Sequence, residues 1–366
     1  MPPVPLATYT LIAINAMIWA LLLSQGGEIS RTPAAILLLW GGNAASEVQK
    51  GEWWRLLSAP FLHSGLLHAA MNMLGLYTAG IIVERIYGWR LYLIIFFGAA
   101  LMGSALSLNF SAQQAVSVGA SGAVFGVTGA LLVAVFQNRD KLPSILGKQT
   151  VSGLGFFIVF ALIQGFYIQG IDNAAHIGGL LGGCLAAFIL PDRFDLSFFQ
   201  RHLITRSALA LVVLAAATLA LVAMAPPATI DQRRIFASAD ILKRGLEHFD
   251  QSMRSLLQVK MDVKDGKLSD QDAEERSRSV YAPLFRHVVA ELAQVDFRPG
   301  DPREPFVRDV QRLSELLAES LGRASVVDEA SPIHEPAEVQ RAAKISAELT
   351  QVSARIDKFM QAAKKH

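Results

Sequence analysis

Seven stretches within the first 225 residues are apolar over lengths that meet or approach the about 20 residues a helix needs to cross a bilayer core. They fall at roughly 6–24, 61–83, 91–109, 117–136, 151–170, 173–190 and 204–225. Backbone surrounded by hydrocarbon must satisfy its own hydrogen bonds, so segments of this kind fold as helices. The expected fold class is an all-α polytopic membrane protein. Residues 34–41 are apolar but too short to span. They belong to a long first loop at the membrane interface, anchored by Trp53 and Trp54. The first stretch lacks a basic leader and a small-residue cleavage site, and reads as a retained helix rather than a signal peptide.

Charge divides the chain in two. Residues 1–225 carry 11 Lys+Arg and 8 Asp+Glu, whereas residues 226–366 carry 22 and 23. The boundary lies near Pro226-Pro227. The polar part reads as helices at roughly 229–264, 270–295, 305–323 and 335–364, broken at Gly266, at Arg298-Pro299-Gly300-Asp301-Pro302 and at Ser331-Pro332. Leu313, Leu316, Leu317 and Leu321 recur at helical spacing. This part shows no chemical motif. A small bundle, a coiled-coil unit for self-association and a partner-docking domain all fit it. A net charge of +2 without a basic patch gives no case for nucleic acid. The single cysteine, Cys184, lies in an apolar run and excludes an intramolecular disulfide or a cysteine-based metal site.

Lysine and arginine placement orients the spans. Arg85 and Arg90, then Arg139, Lys141 and Lys148, then Arg193, Arg201 and Arg206 follow the second, fourth and sixth segments. The loop from Leu108 to Val118 has no charge, and only Arg31, Lys50 and Arg55 oppose this count. The expected N-terminus is cytoplasmic. Seven spans then leave residues 226–366 outside the cytoplasm, in a plasma or inner membrane.

Polar side chains buried in lipid are costly, and an intramembrane set of them marks a functional site. The second segment carries His63, His68 and Asn72, the fourth opens on Gly119-Ala120-Ser121-Gly122, and the sixth carries His176. With the orientation above, all lie within roughly 5–15 Å of the outer face. A serine nucleophile, a histidine base and oxyanion donors are the parts of a serine hydrolase. Ser121 at a helix start has free backbone N–H groups and a positive dipole end beside it. Gly122 and Gly126 are also a small-residue packing pattern, so the serine motif alone is a weak signal. Gly179 and Gly183, four apart, let the sixth segment close on the fourth and bring His176 to Ser121. No carboxylate is placed to orient the imidazole from within the membrane. Phe125, one turn below Ser121, can hold it by stacking, giving a Ser–His dyad. Asp172 reads as a loop or helix-start residue.

His68 and Asn72 share one helix face and can donate to one oxygen alongside the Ser121 amide. His63 lies roughly 140° away on such a helix, and is expected to bond the first loop. A zinc site at these histidines lacks a nearby carboxylate; no metal and no cofactor is expected. Glu84 and Arg85 read as structural. Glu52, Trp53, Trp54 and Arg55 read as an interfacial belt with a charged clamp.

Taken together these residues resemble the rhomboid family of intramembrane serine proteases over about residues 5–225. The matching positions are Trp54-Arg55, His63, His68, Asn72, Glu84, Gly119-Ala120-Ser121-Gly122, Ala175-His176, Gly179 and Gly183. The resemblance implies a six-helix catalytic core, here 1–195, then a linker and seventh membrane helix, 196–225, and a tail, 226–366, to which nothing carries over. It implies Ser121 as nucleophile, His176 as base, and His68, Asn72 and the Ser121 amide as oxyanion hole. It implies a first loop partly in the membrane plane, and lateral entry gated by the fifth segment and the loop before His176. Substrates would be single-pass membrane proteins cut at small residues near the outer face. Phe125 stands where an aromatic, often tyrosine, is expected to stack on the histidine.

Two rivals belong to other classes. A non-catalytic rhomboid-like escort of membrane helices usually lacks the serine or histidine, and both are present. A channel needs polar groups through the full membrane depth, and here they stop in the outer third.

Overall fold

A computed structural model describes residues 4–110, 116–141, 144–168, 170–323 and 336–363. Residues 111–115 of the uncharged loop and the Ser331-Pro332 break lie outside these, as do the Lys141 and Lys148 side chains. Among the described residues every regular element is a helix, and the chain divides into two compact units, Met1–Gln232 and Arg233–His366.

The first unit holds seven apolar helices. They are α1 (Leu6–Ser24), α5 (Leu66–Tyr87), α6 (Trp89–Phe110), α7 (Ser121–Gln137), α8 (Ser144–Tyr167), α9 (Asn173–Ile189) and α10 (Leu196–Ala223). Helices α1, α5, α6 and α10 are long and apolar enough to cross a membrane; α7, the described part of α8, and α9 are shorter apolar helices. The first loop folds as three short helices, α2 (Ala34–Leu39), α3 (Ala45–Gln49) and α4 (Arg55–Ser58).

Helix α7 is apolar on all sides and is correspondingly buried almost throughout, from Gly122 to Val135. It packs between α6 and α9, with α5 and α8 also against it. The α9 glycines set this packing. A Cβ on Gly179 would overlap the Gly122 carbonyl, one on Gly183 the Gly126 carbonyl, and one on Gly178 would come within 2.7 Å of the Met102 carbonyl. Backbone meets backbone on two sides of α9, the close approach small residues permit in membrane helices. Helix α10 instead presents Leu209, Leu211, Val212 and Leu219 outward, as a lipid-facing surface does.

Polar groups fix the two ends of the bundle. Glu84 on α5 accepts from the backbone N–H groups of Ala7 and Thr8, at 3.0 and 2.8 Å, and from Thr8 Oγ1 at 2.7 Å. A carboxylate thus caps the start of α1, where helix amides lack partners and the dipole favours negative charge. At the other end, Arg55 is 1% exposed and ties the first loop together. It donates to the carbonyls of Leu38 and Gly42 and pairs with Glu52. Trp53 and Trp54 stay half-exposed beside it.

The chain divides at Gln232 rather than at the composition break near Pro226-Pro227, because the residues after α10 bind back to α3. The Gln49 amide donates to the Pro226 carbonyl at 2.7 Å and accepts from the Ala228 N–H at 2.8 Å. Lys50 pairs with Asp231 at 2.9 Å, and Ser46 bonds Gln232. Val222, Ala225 and Ala228 pack against Ala45, Val48, Leu56 and Leu108 beneath these bonds. The exit of α10 is therefore at the first-loop end, opposite the start of α1.

Helix α11 (Gln232–Lys264) begins at the last residue of the first unit, and the second unit holds the rest of it with α12 (Asp270–Arg276), α13 (Ala282–Leu292), α14 (Glu304–Arg323) and α15 (Pro336–Ala363). A single π turn joins α12 to α13, so the stretch reads in sequence as one helix. Leu242, Val288, Leu292, Val295, Val307 and Val310 form one buried core, and Leu313, Leu316, Ile345 and Val352 another.

Candidate active site

Ser121 is the first residue of α7, and the four residues before it are held from three sides. Asn43 of the first loop pairs with Ser117 through both backbone bonds, 2.9 and 2.8 Å. The Gly119 N–H donates to the Ala59 carbonyl at 3.0 Å. Gly119 has φ +118°, a conformation that favours glycine, and a Cβ there would lie 2.6 Å from the His68 ring.

His176 lies in the first turn of α9. Its Nε2 is 2.9 Å from Ser121 Oγ. An Nε2 that accepts from the serine hydroxyl leaves the ring proton on Nδ1, and that buried atom has no hydrogen-bond partner among the described residues. The ring lies flat on Phe125, centroids 4.3 Å apart and planes 7° apart. Stacking therefore holds the imidazole where no carboxylate among the described residues bonds its Nδ1. The Gly122–Gly179 contact sits directly beneath this pair.

His68 and Asn72 face the same end of α7. His68 Nδ1 is 3.0 Å from Ser64 Oγ and 3.5 Å from the Ser64 N–H. An Nδ1 that accepts there puts the ring proton on Nε2, the atom beside Gly119. The Asn72 amide donates one N–H to the His68 carbonyl at 2.8 Å. Its second N–H remains, 3.8 Å from the Cβ position of Gly119. Two side-chain donors and the start of α7 thus surround one space next to Ser121.

His63 corrects an expectation. It precedes α5, which begins only at Leu66, so the helical angle argued from sequence does not apply. Its buried ring packs edge-on against His68, centroids 5.2 Å apart. Pro60 and Gly65 account for the late start: the segment 59–61 is a short 3-10 turn, and the chain is extended at Gly65.

Asp172 does more than open a helix. It caps α9 by accepting from the Ala175 N–H at 2.9 Å, and it accepts from Ser107 Oγ at 2.5 Å and Ser117 Oγ at 2.6 Å. One carboxylate joins the end of α6, the segment before Ser121 and the helix of His176. The only sequence signal for this was an acidic residue at a helix start. Asn43, Ser64, Ser107 and Ser117 carried none.

Comparisons with known proteins bear on the same region. The profile of the Rhomboid domain matches residues 50–193. The chain is 40% identical over 186 residues to the rhomboid protease GluP of Bacillus subtilis, covering 51% of this chain and 35% of that one. It is 42% identical over 159 residues to RHOMBOID-like protein 4 of Arabidopsis thaliana, covering 42% of this chain and 38% of that one. It is 30% identical over 229 residues to the rhomboid protease AarA of Providencia stuartii, covering 56% of this chain and 81% of that one. The chain therefore spans little more than a third of the length of the first two relatives. The Rhomboid-domain match ends at residue 193, before residues 226–366 begin.

Proposed function

The chain belongs to the rhomboid family, and from that premise we propose that it is an intramembrane serine endopeptidase with Ser121 as nucleophile and His176 as base. The observation that carries the proposal is the 2.9 Å approach of His176 Nε2 to Ser121 Oγ within apolar helices. A non-catalytic escort of membrane helices has no use for that contact.

Ser121 Oγ attacks the scissile carbonyl carbon as its proton passes to His176 Nε2. The new C–O bond forms and the carbonyl π pair moves onto oxygen. That oxyanion receives the His68 Nε2–H, the second Asn72 amide N–H and the Ser121 backbone N–H, at the positive end of α7. The tetrahedral species collapses, the C–N bond breaks, and the leaving amine takes the proton from His176. Water then attacks the acyl-enzyme, giving its proton to His176, which returns it to Ser121. The Phe125 face supports the imidazolium that forms in each half.

The reaction consumes water, which the bilayer core lacks. Ser64, His68, Asn72, Ser117, Asp172 and His176 cluster at the first-loop end, and a polar opening there supplies it. A substrate helix must unwind to expose its amide, so single-pass membrane proteins with small, helix-breaking residues near the outer face are the substrates. The N-terminus is cytoplasmic and residues 226–366 are extracytoplasmic, in a plasma or inner membrane. The charge count supports this, as does the placement of α1's start and α10's exit at opposite ends of the bundle. The tail serves partner docking or self-association.

Cleavage of a single-pass model substrate by the protein in vesicles tests the chemistry. It should vanish in Ser121→Ala and in His176→Ala, and a fluorophosphonate should label the wild type but not Ser121→Ala. Cleavage that survives either substitution overturns the dyad. Protease added to intact cells or spheroplasts should remove residues 226–366; a fully protected tail overturns the topology.

A further inference from the structure

The second unit takes no part in the reaction above, yet it brings three metal-ligating side chains to one point. His287 and Glu291 are four apart on α13 and share a face, and His248 meets them from α11. The Glu291 side chain is 16% exposed and lies between the two imidazoles. One carboxylate oxygen is 2.7 Å from His248 Nδ1 and the other 3.5 Å from His287 Nε2. The rings are 5.6 Å apart, and one donor atom from each residue falls within 4.8 Å of the others.

The core beneath fixes this placement. Gly245 lies one turn before His248, and a Cβ there would stand 2.7 Å from Leu292 and 3.7 Å from Glu291 Cβ. The missing side chain lets α13 close on α11 at this level. Val288 and Leu292, the neighbours of His287 and Glu291, are fully buried, with Leu242, Leu246 and Phe249 against the same core. The three polar side chains form the rim of that contact, so their backbones are held while their tips keep some freedom.

Two imidazole nitrogens and one carboxylate oxygen are a donor set that suits zinc, with water in the fourth position. Zinc–ligand bonds of about 2.0–2.1 Å set tetrahedral donors roughly 3.4 Å apart. The two imidazole–carboxylate separations, 2.7 and 3.5 Å, lie on either side of that value but run to different oxygens of Glu291, and with one donor from each residue all pairs fall within 4.8 Å, so the side chains must rotate inward to close on an ion. The His248 and His287 side chains are 41% and 63% exposed and have room to rotate onto an ion. Magnesium and calcium prefer oxygen shells and fit this set poorly. We propose that His248, His287 and Glu291 bind a zinc-type divalent transition-metal ion that pins α11 to α13 in the tail.

The competing state is a metal-free cluster in which the carboxylate serves both imidazoles. Full-length protein with a histidine-free tag, purified in detergent and stripped with EDTA, separates the two by titration calorimetry with zinc chloride. One equivalent should bind. Outer-shell partners of metal ligands are already worth about 10–100-fold, so His248→Gln/His287→Gln should weaken binding by about 100-fold or more. Glu291→Gln, which keeps the shape, should also weaken it. Zinc should raise the unfolding temperature of the wild type and leave the double variant unmoved, with helical content matched by circular dichroism. Magnesium chloride should give no saturable heat. A wild-type isotherm without a saturable equivalent, or one that the double variant reproduces, overturns the site.

Discussion

Gly179 lies against Gly122 so closely that a Cβ on Gly179 would overlap the Gly122 carbonyl oxygen. Gly122 follows Ser121 in sequence, and Gly179 is three residues after His176. The contact therefore sets the distance between the Ser121 and His176 side chains. A methyl group cannot be absorbed by a flexible neighbour here, because the atom it meets is backbone. Gly179→Ala should push α9 from α7 and lengthen the 2.9 Å Ser121–His176 contact. A displacement of about 1 Å can cost about 10²-fold in rate, and we expect kcat to fall by at least that much. Gly153 on α8 has open space around its Cβ position, so Gly153→Ala should stay within about twofold of the wild type. Initial rates in vesicles make the comparison, and a Gly179→Ala enzyme with wild-type rates refutes the closure argument.

His68 and Asn72 are assigned to charge that exists only in the transition state. Removing one such donor costs about 10²–10³ in kcat, with KM little changed because the ground-state carbonyl gains less from it. His68→Ala and Asn72→Ala should each show that split. Ser64→Ala removes the hydroxyl beside His68 Nδ1 but leaves the backbone N–H, so its loss should be smaller, about tenfold. A large rise in KM with unchanged kcat in His68→Ala or Asn72→Ala would show a substrate-binding role instead.

Asp172 ties the segment before Ser121 to the start of α9, and a positioning role is expected of it. Asp172→Ala removes a helix cap, worth about 0.5–2 kcal/mol, and takes the acceptor from the Ser107 and Ser117 hydroxyls. Thermal unfolding in detergent should move down by several degrees. The rate should fall through kcat, since the segment before Ser121 and the start of α9 both lose their tether. Asp172→Asn keeps one acceptor oxygen and should recover part of both. A variant that loses stability at full specific activity would confine Asp172 to the fold.

These residues show what the chain reveals before it is folded. Apolar composition marked the seven apolar helices of the first unit, four of them long enough to cross a membrane, and breaks at Gly266 and 298–302 marked the tail helices, since both signals are local. The pairing of Ser121 with His176, and of Phe125 with the imidazole, followed from scarce polar groups in apolar helices and from four-residue spacing. His63 was misplaced because a 3-10 turn and an extended glycine interrupt the second segment before α5 begins. The Asp172 junction and the Glu84 cap are contacts between segments far apart in sequence, and ordinary polar residues make them. His248 and Glu291, 43 positions apart, have no spacing that a motif could carry.

The segment after α10 offers the last test. Gln49 holds it through two hydrogen bonds to the backbone of Pro226 and Ala228, and Lys50 through its pair with Asp231. The lysine side chain is 48% exposed, and an exposed pair contributes at most about 1 kcal/mol and weakens with salt. Gln49 instead satisfies backbone groups that would otherwise need water. Gln49→Ala should therefore speed proteinase K cleavage within 226–232 more than Lys50→Ala does, and only the Lys50 effect should shrink in high salt. The hydrogen bond to Asp231 raises the Lys50 pKa above its ordinary 10.5. A raised lysine contributes its stabilisation fully below the unfolded value and loses it as pH climbs through the folded value. Wild-type protection should then stay level through neutral pH and decline only above 10.5, with no such decline in Lys50→Ala. Equal cleavage rates in wild type and Gln49→Ala would remove the clamp as the reason the first unit extends to Gln232.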